Sequence, residues 1–167
     1  DLVHKENIDK EIYADLFLFI SKHRAQEERK TLTVHPIGNF GKAEFGGKEK
    51  TLCVCPAGFL KSLFNELIKS SENSGYEVTI EATHHGPFLE KPVLFIEVGS
   101  TEKEWIDKEA ANIAAKAIIG SLTEINDGIK DKKSFFIVGG GHYNHAANKL
   151  MMKEDYYYHN KNSPEFK

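Results

Sequence analysis

Val93-Leu-Phe-Ile-Glu-Val-Gly-Ser-Thr101 passes from a strand to the start of a helix. Val93 to Val98 is an apolar run of strand length interrupted by one charge, Glu97. Gly99 breaks the run. Thr101 and Glu104 then have capping-box spacing, in which each side chain satisfies a backbone N–H at a helix start. A helix over 103–125 follows, with Ile106, Ala110, Ile113, Ala114, Ala117, Ile118 and Leu122 expected on its inner face.

Outward from this stretch the same alternation of strand and helix recurs. Upstream, Leu60, Leu63, Phe64, Leu67 and Ile68 mark one buried face of a helix over 57–72, with Gly75 just past its end. Tyr76-Glu-Val-Thr-Ile-Glu81 and Thr31-Leu-Thr-Val-His35 alternate as half-buried strands. Leu16 to Ile20 is continuously apolar, as in a strand covered on both faces. Thr51-Leu-Cys-Val-Cys55 is a short strand ended by Pro56, and Ser134 to Val138 is the last clear one. Residues 4–14 read as a short polar helix or lead-in. Strands alternating with long helices imply an α/β fold, here one domain over 1–167 with residues 145–167 as a divergent tail.

Composition narrows the function. Hydrophobic residues make up 40% and charged residues 28%, as in a globular domain. No apolar run approaches the roughly 20 residues that span a bilayer, and the N-terminus has no signal-peptide pattern. Cys53 and Cys55, the only thiols, read as small apolar residues of a buried strand, not as a disulfide or a zinc pair, which fits a reducing, cytoplasmic setting. The net charge of −3 argues against a broad grip on long nucleic acid. Any RNA contact should be local, at Lys22-His23-Arg24 with Arg29-Lys30, or at Lys130 with Lys132-Lys133. No DNA or membrane partner is expected, and a monomer is favoured.

Ligands in α/β sheets bind beyond the carboxyl ends of strands. Four polar segments follow strands: Ser21-Lys22-His23, Thr83-His84-His85-Gly86-Pro87, Gly99-Ser100-Thr101 and Gly139 to Tyr143. His84 and His85 would point to opposite sides if the chain stayed extended, so one would face a pocket. Imidazole suits proton transfer or metal binding near neutral pH. Glu97, a carboxylate in an apolar strand, needs a partner, and a histidine is the obvious one. The three glycines before His142 allow a close backbone approach to a ligand, without a P-loop's lysine. There is no G-x-S-x-G or H-E-x-x-H motif. A histidine-rich cleft without a protein nucleophile fits direct attack by water.

The segments Ser21-Lys-His23, Leu32-Thr-Val-His-Pro36 with Gly38-Asn39, Glu81-Ala-Thr-His-His-Gly-Pro87, Phe95-Ile-Glu-Val-Gly-Ser-Thr101 with Glu104-Trp105, and Gly139-Gly-Gly-His-Tyr143 occur in the order seen in archaeal- and plant-type D-aminoacyl-tRNA deacylases. The resemblance covers about residues 10–143 and leaves out family segments before Asp1 and after the glycine loop. It implies a mixed sheet flanked by helices, in a phosphorylase/peptidyl-tRNA-hydrolase-like fold. It also implies hydrolysis of the ester between a D-amino acid and the 3′-terminal adenosine of tRNA, and it suggests zinc. By carry-over, His84, His85, Glu97 and His142 are candidate catalytic residues, with His84, His85 and His142 as metal ligands. His23, Gly86, Gly99, Ser100, Thr101, Gly140 and Gly141 are candidate substrate contacts. The alternatives are a non-catalytic tRNA-end or nucleotide binder and a related peptidyl-tRNA hydrolase or nucleoside phosphorylase.

Overall fold

A computed structural model of the chain describes residues 2–26, 28–124, 133–153 and 156–158. Its sheet has four strands in the order β1 (Phe17–Lys22), β6 (Val93–Gly99), β2 (Thr31–His35), β5 (Glu77–Ile80). β1 runs parallel to β6, and β2 runs parallel to β5 but antiparallel to β6. The sheet is therefore mixed and has no single carboxyl edge. The remaining elements are α1 (Ile8–Glu11), β3 (Gly38–Asn39), β4 (Thr51–Leu52), α2 (Ala57–Ser70), α3 (Glu102–Trp105), α4 (Lys108–Glu124), β7 (Lys133–Phe135), α5 (His145–Met151) and β8 (Tyr156–Tyr158).

The period-two alternation separates two unlike faces. Leu32 and Val34 of β2, Leu94 and Ile96 of β6 and Ile80 of β5 join a core with Leu60, Leu63, Phe64 and Leu67 of α2 and Ala110, Ile113, Ala114 and Ala117 of α4. Burying each Leu, Ile or Phe stabilises by about 1.5–3 kcal/mol. The opposite face carries Thr31, Thr33 and His35 of β2 and Glu97 of β6, all buried. A smaller apolar cluster (Phe19, Ile37, Cys53, Leu89, Val93, Phe95) borders it.

Several expectations need correction. The helix expected over 103–125 is two helices. Asp107 interrupts it, accepting from the Glu109 N–H at 2.8 Å and from the Tyr76 hydroxyl at 2.7 Å. That break turns Ile106 outward (83% exposed), and Leu122, also expected inside, is 51% exposed. The strand expected over 51–55 ends at Leu52, and the one expected over 134–138 ends at Phe135. Cys53 and Cys55 are buried and not joined in a disulfide. Lys130 and Lys132 lie outside the described residues.

Two features near the chain ends hold the loops of the polar face. Glu6 accepts from the Gly47 N–H at 2.7 Å and the Phe88 N–H at 2.8 Å, joining the loop after β3 to the corner after β5. At the other end α5 docks. Asn148 accepts from the Ile80 N–H at 2.8 Å and donates to the Thr79 hydroxyl at 2.9 Å, while Asn144 caps the helix by accepting from the Ala147 N–H at 3.0 Å. Lys61, a buried residue of α2, donates through its ammonium to the carbonyls of Met151 and Lys153 at the far end of α5.

Candidate active site

Each side chain of the polar face arrives by a separate backbone device. His35 closes β2, and Glu81 follows β5 immediately, its N–H bonded to the Val34 carbonyl at 3.2 Å. His142 is brought beside Glu81 by strand-like pairing: Ala82 N–H donates to the His142 carbonyl at 2.8 Å and Asn144 N–H to the Ile80 carbonyl at 2.8 Å. Gly139 and Gly140 lead into it with φ of 101° and 96°, a region that favours glycine. His23 follows β1, its N–H held by the Val98 carbonyl at 2.9 Å. Gly99 makes room for it: a Cβ there would lie 3.2 Å from the His23 ring and 2.6 Å from the Thr31 hydroxyl.

These residues converge on Glu81, which is fully buried. Its Oε2 lies 3.0 Å from His142 Nε2 and 3.7 Å from His84 Nε2, and its Oε1 lies 3.6 Å from His23 Nδ1. Glu97 Oε2 lies 3.6 Å from His35 Nε2 and 3.8 Å from His23 Nδ1. Neither oxygen of Glu81 receives an aligned hydrogen bond, and neither do the Nε2 atoms of His23 and His35. Burial alone would push both carboxyls up. The imidazoles around Glu81 and the His35 ring beside Glu97 overcome that, holding Glu81 well below the usual carboxylate range and lowering Glu97.

His84 and His85 both turn inward, because His85 adopts φ 46° and the chain is not extended there. Their ring centroids are 4.4 Å apart, and each stacks on or abuts His35, at 4.5 and 5.0 Å. The Nδ1 atoms of His35, His84 and His85 face the carbonyls of Pro36, Ala82 and Gly86 at 3.0, 2.7 and 2.6 Å. A carbonyl only accepts, so each Nδ1 carries a proton, and in His84 and His85 the Nε2 then presents a lone pair. Burial, with His35 beside them, pushes His84 down to about 3 and His85 down to about 4, so both are neutral at pH 7. Burial would also lower His35, but Glu97 and Glu81 outweigh it and raise its pKa.

This arrangement has a consequence for stability. The folded pKa values of His84 and His85 lie below the unfolded value near 6.5, so below pH 6.5 the unfolded chain takes up protons that the folded chain refuses. Stability is then expected to fall by about 1 kcal/mol per pH unit for each ring between pH 6.5 and 4. Glu81 and Glu97 add to the loss below their unfolded pKa. His35, raised, opposes it, contributing below pH 6.5. Urea unfolding at pH 7 and pH 4.5 should show the net acid loss; equal midpoints would contradict it.

Among the described residues three triads have donor atoms all within 4.8 Å of one another and could hold a metal ion: His35 with His84 and His85, His23 with Glu81 and His142, and His35 with Glu81 and Glu97. In the first, His84 Nε2 lies 3.7 Å from Glu81 and His35 Nε2 lies 3.6 Å from Glu97. Oxygen and imidazole donors of this kind suit zinc.

The other residues singled out in the sequence fare differently. Ser100 is buried and its hydroxyl donates to the Arg29 carbonyl at 2.6 Å. The Thr101 hydroxyl and N–H both donate to Glu104, at 2.6 and 2.9 Å, in the capping box. Gly86 packs against Gly46 and Gly47. Gly140 and Gly141 stand in open space at the loop before His142, with nothing closer to their Cβ positions than 3.8 Å. Glu81 and His35 were not among the expected site residues, although each ends an alternating strand on its polar phase. A cavity of about 570 Å³ lined by His23, His84, His85 and Glu97 opens onto the cluster, and a second hollow that reaches His142 has Val3 and Phe45 in its wall. Among the described residues no helix is long and apolar enough to cross a membrane.

A family model described as D-aminoacyl-tRNA deacylase matches residues 10–163. The D-aminoacyl-tRNA deacylase of Methanospirillum hungatei is 48% identical over 110 residues, covering 65% of this chain and 25% of that protein. That of Caldivirga maquilingensis is 40% identical over 121 residues, covering 71% of this chain and 45% of that protein. The chain thus spans less than half the length of these relatives. The crystal structure of the conserved protein of unknown function AF0625 superimposes with a TM-score of 0.87 at 33% identity, over 95% of this chain and 57% of that one.

Proposed function

The chain belongs to the D-aminoacyl-tRNA deacylase family, and from that premise we propose that it hydrolyses the ester joining a D-amino acid to the 3′-terminal adenosine of tRNA. The observation that carries the proposal is Glu81, a fully buried carboxylate with imidazoles of His142, His23 and His84 at 3.0 to 3.7 Å. A charge buried this way is costly unless it compensates positive charge. Glu81 can orient His142 through Nε2 and stabilise the imidazolium formed when the other nitrogen, Nδ1, accepts a proton. His142 is the more exposed of that pair, with 45% of its side chain accessible against 0% for Glu81. It therefore meets water and substrate.

Water attacks the ester carbonyl carbon while His142 takes its proton. The bond from the carbonyl carbon to the ribose oxygen breaks, and the imidazolium returns the proton to that oxygen, releasing free D-amino acid and tRNA. His35, His84 and His85 are the residues that would hold zinc, since their donor atoms lie within 4.8 Å of one another and imidazole is a zinc ligand. Zinc, when bound, supplies Lewis-acid polarisation of the ester carbonyl. Glu97 positions His35 from the adjacent strand. Val3 and Phe45 offer an apolar surface to the amino-acid side chain.

The test is release of D-tyrosine from D-tyrosyl-tRNA against L-tyrosine from the L-form, with wild type and His142→Ala. The proposal expects preference for the D-ester and a loss of about 10²–10⁴-fold in the variant. Equal rates for wild type and His142→Ala, with both folded, would remove His142 from the reaction.

A further inference from the structure

The alternation of β1 continues past the strand. Ser21 and His23 share the phase of the polar face, and His23 reaches the two carboxylates. Lys22 and Arg24 occupy the opposite phase and meet Trp105. The Lys22 ammonium lies 4.3 Å, and the Arg24 guanidinium carbon 4.9 Å, from the centre of its ring. The indole is fastened in turn: its Nε1–H donates to the His23 carbonyl at 3.0 Å, and Trp105 ends the capped turn α3. One ring therefore fixes two cations on either side of a histidine of the cluster.

These cations are poorly neutralised. Arg24 pairs with Glu102 at 3.2 Å, but both side chains are largely exposed, where an ion pair is weak. No carboxylate pairs with Lys22 among the described residues. Two positive groups against one ring repel, and an anion bound near both would relieve that repulsion. Both residues line the cavity that contains His23, His84, His85 and Glu97. A chain of net charge −3 cannot hold RNA by general attraction and needs a local grip. An ester on the 3′-terminal ribose has internucleotide phosphates as its nearest strong anions.

We infer that Lys22 and Arg24, stacked on Trp105, form a binding site for a phosphodiester of the RNA strand whose 3′ end enters the histidine cluster. The inference rests on the deacylase reading for its substrate, but its test does not depend on turnover. The probe is a short single-stranded RNA with a free 3′ hydroxyl, titrated at several salt concentrations against the wild-type chain, Lys22→Gln/Arg24→Gln and Lys22→Arg. Each cation contributes about 0.7 to the logarithmic salt slope for a single strand, so the double variant should flatten it by about 1.4 and weaken binding about tenfold. Lys22→Arg should keep the wild-type slope. In parallel, kcat/KM for D-tyrosyl-tRNA relative to D-tyrosyl-adenosine, which has no phosphodiester, should fall about tenfold in the double variant. A wild-type slope in the double variant, or an unchanged ratio of the two esters, overturns the inference. If the wild type cleaves neither ester, the deacylase reading falls, and the salt slope alone decides the phosphodiester site.

Discussion

Glu81→Gln is expected to lower kcat/KM for D-aminoacyl-tRNA about a thousandfold while the chain stays folded. The substitution keeps the shape of a fully buried side chain and removes only its charge. That charge sits 3.0 Å from His142, 3.6 Å from His23 and 3.7 Å from His84. Without it, an imidazolium at His142 has no counter-charge, and the amide that replaces it can donate to Nε2 and favour the wrong tautomer. The loss should appear in kcat more than in KM, because Glu81 lies beneath the histidines and the neutral substrate ester gains little from it. Circular dichroism and thermal unfolding of the variant separate a chemical loss from a folding loss. A folded Glu81→Gln variant within threefold of wild type would remove Glu81 from the mechanism.

Gly86→Ala should have the largest effect on the assembly of the site. A Cβ at Gly86 would lie 2.2 Å from the Gly47 nitrogen, 2.4 Å from the Gly46 carbonyl carbon and 2.7 Å from the Val3 oxygen. All three are backbone atoms, so no side chain can swing aside. The loop after β3 or the N-terminal turn must move, although Glu6 ties that loop to the corner at Phe88. Overpacking of this kind costs about 1–3 kcal/mol. For a chain of this size that lowers Tm by roughly 2–4 °C for each kcal/mol. The corner that presents His84 and His85 would shift with it, so activity should fall by more than the fraction unfolded explains. A Tm within a degree of wild type would show that the loop yields freely and that this packing does not hold the histidines.

Much of the architecture was written locally. The run Val93 to Val98, the capping box of Thr101 with Glu104 and the buried stripe of α2 each depend on spacings of a few residues, and each stands close to where those spacings put it. Where the reading failed, a local signal had been outweighed. Asp107 stops one helix and caps the next, a role that a continuous apolar stripe through Ile106 concealed. The pairing of Glu81 with three histidines was not legible, because it depends on residues from β1, β5 and the loop before α5 meeting across the sheet. The adjacent histidines were read as facing apart, whereas the left-handed conformation of His85, set by its surroundings, turns both inward.

The sequence by itself determined which residues could form strands and helices, and which phase of each strand is polar, since hydrophobic period and capping act within a few residues. Only the tertiary structure decided strand order, the antiparallel run of β2 against β6, and the meeting of Glu81 and Glu97 with five imidazoles. Register is set by packing between segments far apart in the chain, and a buried carboxylate finds its partners only after that packing is complete.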